Sequence, residues 1–147
     1  MNEKLKCIVA ICVLALASGA AHSAGKVTEE RVLAESAQGV NWFVKGGNFD
    51  GEHFSPLKEI NAANVDELGL AWVRAIPAPD GISATPIVVD GVIYFSAAYS
   101  VAFAVDASDG RILWSFDPNV RASFAERPQT SWLARVNRGV AVWDGKV

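Results

Sequence analysis

Cysteine and histidine are nearly absent. The 147 residues hold two cysteines, Cys7 and Cys12, and two histidines, His22 and His53. Both cysteines sit near the start, in an apolar stretch. Beyond it there is no material for a disulfide framework, a zinc–cysteine site or a thioether-bound haem. Basic charge is not in excess either. The net charge is −3 and the pI about 5.3, which gives no support for a nucleic-acid partner. Long apolar runs are missing as well. The run over residues 7–17 falls short of the roughly 20 residues that a spanning helix needs. No stable membrane span is expected.

That short run has a different meaning. Lys4 and Lys6 precede it, and the small residues "ASGAAHSA" follow. A basic start, an apolar centre and a small-residue cleavage zone describe a secretory signal peptide, here residues 1–23, cut between Ala20 and Ala24. Neither cysteine follows the small residues that lipid attachment requires. Cleavage removes Glu3, Lys4 and Lys6, so the net charge moves from −3 to −4. It leaves His53 as the one histidine. Export to the periplasm is the expectation.

The rest fits one domain by length. Residues 24–60 read as an irregular, partly helical segment. A short helix is predicted within residues 25–40, with Val32, Leu33 and Ala37 on one side. Gly46, Gly47, Gly51 and Pro56 then break the chain into loop. Residues 61–147 read differently. They open on a helical turn capped by Asn61 or Asn64, then a strand through Leu70 and Trp72. "PAPDG" over residues 77–81 is a loop. Four strands follow, at 86–89, 92–97, 101–105 and 112–116. Asp90-Gly91 joins the first two, and Asp-Gly between β-branched runs is the strongest short-range sign of a type I′ hairpin.

The pattern then restarts. "GVAVWDGKV" places Asp144-Gly145 54 residues after Asp90-Gly91, and Trp114 follows Trp72 by 42 residues. Such intervals match the period of propeller blades. The expected fold is all-β: a partial β-propeller of one full four-stranded blade plus the start of the next. A β-sandwich built of hairpins is the alternative. A lone blade buries too little to stand by itself. The Asp109-Gly110 reversal and Trp114 in "AVDASDGRILW" are expected to wedge adjoining blades together.

In order, "NWFVKGGNFDGEHFSPLKEINAANVDELGLAW", "ATPIVVDGVIYF", "AFAVDASDGRILW" and "VNRGVAVWDGKV" resemble the N-terminal part of quinoprotein alcohol dehydrogenases, which use pyrroloquinoline quinone (PQQ). The resemblance covers residues 40–147. It implies an eight-bladed propeller, longer than this chain, that holds PQQ with calcium and oxidises a small alcohol or aldehyde. The calcium ligands and catalytic aspartate of the family come from later blades and have no counterpart here. The resemblance therefore implies a truncated piece, inactive alone, whose partner would be the remaining propeller chain. In "VNRG", Arg138 matches the family's PQQ-contacting arginine, and a planar guanidinium can fork two hydrogen bonds to a carboxylate. A surface pair with Asp144 is the other reading of Arg138. The family's glutamate before "ATP" is Ser83 here. Its adjacent cysteine pair is Trp132 and Leu133. Trp132 either covers a flat cofactor or belongs to the core. These departures imply a divergent branch. A non-catalytic envelope scaffold built from such blades is the second functional reading.

Other candidates carry less. His53 is a lone loop histidine. Ser55 lacks a nucleophile elbow. Asp50 and Glu52 are too few for calcium. "GGNFDG" lacks the ending of a phosphate loop. Trp42, Phe43, Phe49 and Phe54 are expected to pack the N-terminal segment onto the propeller rim.

Overall fold

The computed structural model describes residues 25–125 and 131–147. The predicted leader lies outside the described residues. Its central element is a four-stranded antiparallel meander in the order β1 (Ile87–Val89), β2 (Val92–Ser96), β3 (Ala102–Asp106) and β4 (Ile112–Phe116). Pro86 stays outside β1, since proline has no N–H for the ladder. The β1–β2 turn is the expected one. Asp90 has φ 51° and Gly91 φ 74°, the two positive values that a type I′ turn requires. Asp144 and Gly145 repeat it with φ 46° and 75°. Trp143 and Lys146 close that second turn through two 2.9 Å backbone bonds.

β4 contains an irregularity that decides where its tryptophan points. Ala104 pairs with Trp114, but Val105 pairs with Ile112, which leaves Leu113 as an extra residue. An unbroken strand would put Ile112 and Trp114 on the same face. The shift moves Trp114 to the opposite face from Ile112. There it meets Tyr94, with ring centroids 6.0 Å apart.

Two apolar clusters lie on the two faces. On the first, Ile87, Val89, Tyr94 and Ala104 pack with Val27, Val32, Phe43 and Val142. Val32 comes from α1 (Glu29–Glu35), which starts at Thr28, whose hydroxyl accepts from the Arg31 N–H at 3.3 Å. Leu33 and Ala37 do not share that face. Leu33 is 64% exposed, because a helix this short turns a narrow stripe inward. Trp42 continues the coverage by exchanging backbone hydrogen bonds with Val88, at 2.8 and 2.9 Å. Phe43 is buried, but Phe49 and Phe54 are 56% and 73% exposed, so two of the four aromatics expected on the rim point away.

On the second face, Phe95, Ala97, Phe103 and Val105 pack with Trp72, Ile76, Ala78, Ala84 and Ile112. The phenyl rings of Phe95 and Phe103 stack at 5.4 Å. The strand expected through Leu70 and Trp72 does not form: residues 68–76 have no ladder partner. The indole of Trp72 anchors the segment instead. Its Nε1 donates to the Ala107 carbonyl at 3.0 Å. A Cβ on Gly110 would stand 2.5 Å from the ring, so the indole lies directly on that glycine. The reversal at Asp109-Gly110 therefore receives Trp72, the indole 42 residues before Trp114.

Candidate functional site

Residues 135–139 run past the end of β2, and the side chains of Arg135, Asn137 and Arg138 there face polar partners or solvent. Arg135 Nε donates to the Tyr99 hydroxyl at 3.2 Å. The Asn137 carboxamide donates from Nδ2 to Ser100 Oγ at 2.9 Å. Its Oδ1 accepts from Ser96 Oγ at 2.6 Å and from the Gly139 N–H at 3.0 Å. Arg138, between Asn137 and Gly139, is exposed.

The turn that receives these contacts is unusual. Tyr99 and Ser100 have φ of 59° and 63°, a left-handed conformation that residues with a side chain adopt at a cost of about 1 kcal/mol or more each. The surroundings hold it there. Tyr99 is buried, Arg121 lies over its ring at 4.4 Å, and Arg121 pairs with Asp80. A cavity of about 460 Å³ adjoins the ring, lined by Pro77, Asp80, Ala97, Tyr99, Asp117 and Arg121 among others. "PAPDG" is a loop, as expected, and it forms one wall.

Arg138 is also held from the other side. Its carbonyl accepts from the Thr85 N–H at 3.1 Å. Gly139 has φ 143°, and a Cβ there would stand 3.1 Å from the Thr85 carbonyl oxygen. Ser83 and Arg138, far apart in sequence, are thus brought to neighbouring segments. The surface pair of Arg138 with Asp144 is not formed: no ion pair or hydrogen bond of the Arg138 guanidinium is found among the described residues. The Asp144 backbone is committed to its turn and to a 2.9 Å bond with Val27. Leu133 is exposed. The side chain of Trp132 lies outside what is described.

The donors at Arg138 fit an anionic planar ligand such as PQQ: a fork of N–H groups without a partner among the described residues, on a fixed backbone. Calcium is another matter. Among the described residues no group of three acidic, histidine or cysteine side chains comes together. Asp50 and Glu52 are exposed, and Glu52 is occupied with Asn48 at 2.8 Å. His53 is exposed in the loop. Asn137 and Tyr99 are the site residues that sequence reasoning missed. The asparagine lies within the quoted "VNRG", but only its three partners reveal a role.

The strongest electrostatic cluster lies elsewhere, at the β1–β2 turn. Arg31 Nη1 donates to Asp90 Oδ2 at 3.0 Å, and Arg31 Nε donates to Glu35 Oε1 at 2.7 Å. Asn41 links both acids: its Nδ2 donates to Glu35 at 2.8 Å and its Oδ1 accepts from the Asp90 N–H at 2.8 Å. The hydrogen bonds from Arg31 hold both carboxyls below their ordinary range. Burial, and then the Asp90 charge, push the Tyr94 phenol upward. These groups tie α1 to the sheet.

The family model described as glucose/ethanol/alcohol dehydrogenase, β-propeller domain, of the PQQ type, matches residues 42–147. Quinohemoprotein alcohol dehydrogenase ADH-IIG of Pseudomonas putida is 41% identical over 146 residues, 97% of this chain and 20% of the relative. The dehydrogenase subunit of a quinone-type alcohol dehydrogenase from Gluconacetobacter polyoxogenes is 37% identical over 141 residues, 96% of this chain and 19% of the relative. Among solved structures, the P. putida ADHIIG chain superposes with a TM-score of 0.71 at 41% identity, covering 84% of this chain and 18% of that one. The quinohemoprotein alcohol dehydrogenase of Comamonas testosteroni gives 0.71 at 38% identity, covering 81% and 17%. The chain spans about a fifth of the length of the relatives it matches. The meander with its second turn is accordingly a partial β-propeller.

Proposed function

The chain belongs to the PQQ-type glucose/ethanol/alcohol dehydrogenase β-propeller family, and from that membership we propose that it is part of an exported dehydrogenase that oxidises alcohols or aldehydes. Its contribution is one blade, the start of the next, and Arg138 at the cofactor. The proposed division is a leader over 1–23, an N-terminal segment over 24–60 and propeller blades over 61–147, acting in the periplasm. Among the described residues no helix is long and apolar enough to cross a membrane.

The observation that carries this reading is the treatment of Arg138. Its backbone is fixed on both sides while its guanidinium stays open to solvent. When bound, PQQ supplies the acceptor for two electrons and a proton from the alcohol carbon. The chain's own part is to bind and orient. Arg138 offers paired N–H donors to the carboxylates and quinone oxygens of a planar anion. Ser83 offers a neutral hydroxyl where the family has a carboxylate, which weakens any hold on a cation there. Calcium would draw its ligands from outside the described residues. Turnover by this chain alone is not expected, with or without added PQQ and calcium.

Titration of PQQ into the full chain, followed by tryptophan fluorescence, tests the assignment. Saturable quenching is expected, with affinity reduced about tenfold in Arg138→Ala, the scale of a lost charged hydrogen bond. Quenching that does not saturate, or that Arg138→Ala leaves unchanged, rejects it.

A further inference from the structure

We propose that Asn137 is the positioning residue for Arg138: its carboxamide locks the backbone from which the guanidinium is presented to an anionic ligand. The inference rests on the assignment of Arg138 above. Asn137 reaches two distant residues, Ser96 and Ser100, and the backbone just beyond Arg138 at once. Ser96 ends β2 and is 1% exposed; its hydroxyl donates to Oδ1 at 2.6 Å. Ser100 lies in the left-handed turn and accepts from Nδ2 at 2.9 Å. The Gly139 N–H, just past Arg138, donates to Oδ1 at 3.0 Å.

These contacts define the amide's orientation. A flipped carboxamide would aim its NH₂ at the Gly139 N–H, donor against donor. The bond to Gly139 spans Arg138, so it closes a small ring of chain around that residue. The opposite edge is closed by the Thr85 N–H on the Arg138 carbonyl at 3.1 Å. Only the side-chain torsions of Arg138 stay free. A long cation on a mobile loop loses backbone and rotamer freedom when it binds; on a fixed backbone it loses the rotamer part alone. Asn137 does not need to touch the ligand to matter.

Substitutions at Asn137, Ser100 and Arg138 and two readouts separate this from a general structural role. Asn137→Ala removes all three contacts. Amide hydrogen exchange at Gly139 and Thr85 should accelerate about tenfold, while the β2–β3 ladder exchanges as before. Asn137→Asp keeps both acceptor roles, and the Ser100 hydroxyl can turn to donate, so protection at Gly139 should be restored. Should Asn137→Ala fail to fold, Ser100→Ala removes one contact and should accelerate the same amides by a few-fold. Unchanged exchange at Gly139 in whichever of these two variants folds overturns the proposal.

The second readout is PQQ affinity in a double-mutant cycle. Asn137→Ala should weaken binding about tenfold when Arg138 is present and by less than about twofold in Arg138→Ala. Equal losses in both backgrounds overturn the proposal, because Asn137 would then act without Arg138. Absence of PQQ binding by the unaltered chain rejects the cofactor assignment, while the exchange result still decides whether Asn137 locks the loop.

Discussion

One face of the sheet is sealed and the other is leaned upon. Val27, Val32, Phe43 and Val142 close the first face with side chains from three separate segments. The second is crossed by the extended chain around Trp72 and Ile76. A groove of about 270 Å³ stays open there, between Trp72, Ile82, Pro86 and Phe95. Coverage of the first face is spread over many apolar contacts and the Arg31 cluster. Coverage of the second centres on the Trp72 indole, hydrogen-bonded to Ala107 and seated on Gly110, with Arg74 Nε donating to the Gly110 carbonyl at 2.8 Å and Ile76, Ala78 and Ala84 packed beside it. Removing one large buried ring from the first face costs more than introducing local strain under the contact on the second.

The largest effect is therefore expected at Phe43, which is 2% exposed. Phe43→Ala should cost about 3–5 kcal/mol, the range for deleting a buried phenyl ring. Urea unfolding measures it. A loss below about 1 kcal/mol would mean that the N-terminal segment is not part of the core and would erase the contrast between the faces.

Gly110→Ala probes the second face and should cost less, about 1–3 kcal/mol, because its effect is local strain. The added methyl meets Trp72 at 2.5 Å, on a backbone with φ 73°. The indole must lift, so tryptophan emission should shift to the red together with the fall in Tm. A loss of stability without that shift would show that backbone strain alone acts and that the indole is not the anchor.

The strands and turns were readable because their causes are local. Asp90-Gly91 and Asp144-Gly145 specify their turns within two residues, and β4 falls on the predicted 112–116. Trp72 was misread as a strand residue because its partner, Ala107, is 35 positions away. Nothing in the periodicity of residues 61–72 announces that contact. Gly110 receives Trp72, and the register shift at Leu113 turns Trp114 toward Tyr94, in the cluster that also holds Val142. A bulge of this kind has no local marker in "RILWSF". Of the site, Arg138 was found through a motif, while Asn137 inside the same motif was passed over. A carboxamide whose two distant partners, Ser96 and Ser100, lie about 40 positions away has no spacing rule to betray it.

The smallest effect concerns the charge that pins α1 to the first face. Asp90 sits at a left-handed turn position where asparagine is equally at home, so Asp90→Asn removes charge and keeps the turn. The Asp90 carboxylate is held below its ordinary range, first by the Arg31 hydrogen bond. A carboxyl lowered on folding contributes stability that is complete above its unfolded value, about 3.9, and is lost as pH falls through the lower folded value. The Asp90 side chain is 48% exposed, so water screens the pair and the contribution should stay below about 1 kcal/mol. The Tm of the native chain should exceed that of Asp90→Asn by a few degrees near neutral pH, with the gap closing below about pH 4. Added salt should narrow it as well. A gap that persists at low pH would assign the contact to neutral hydrogen bonding. The first face would then rest on burial alone, and the two faces would differ only in how much apolar surface each one covers.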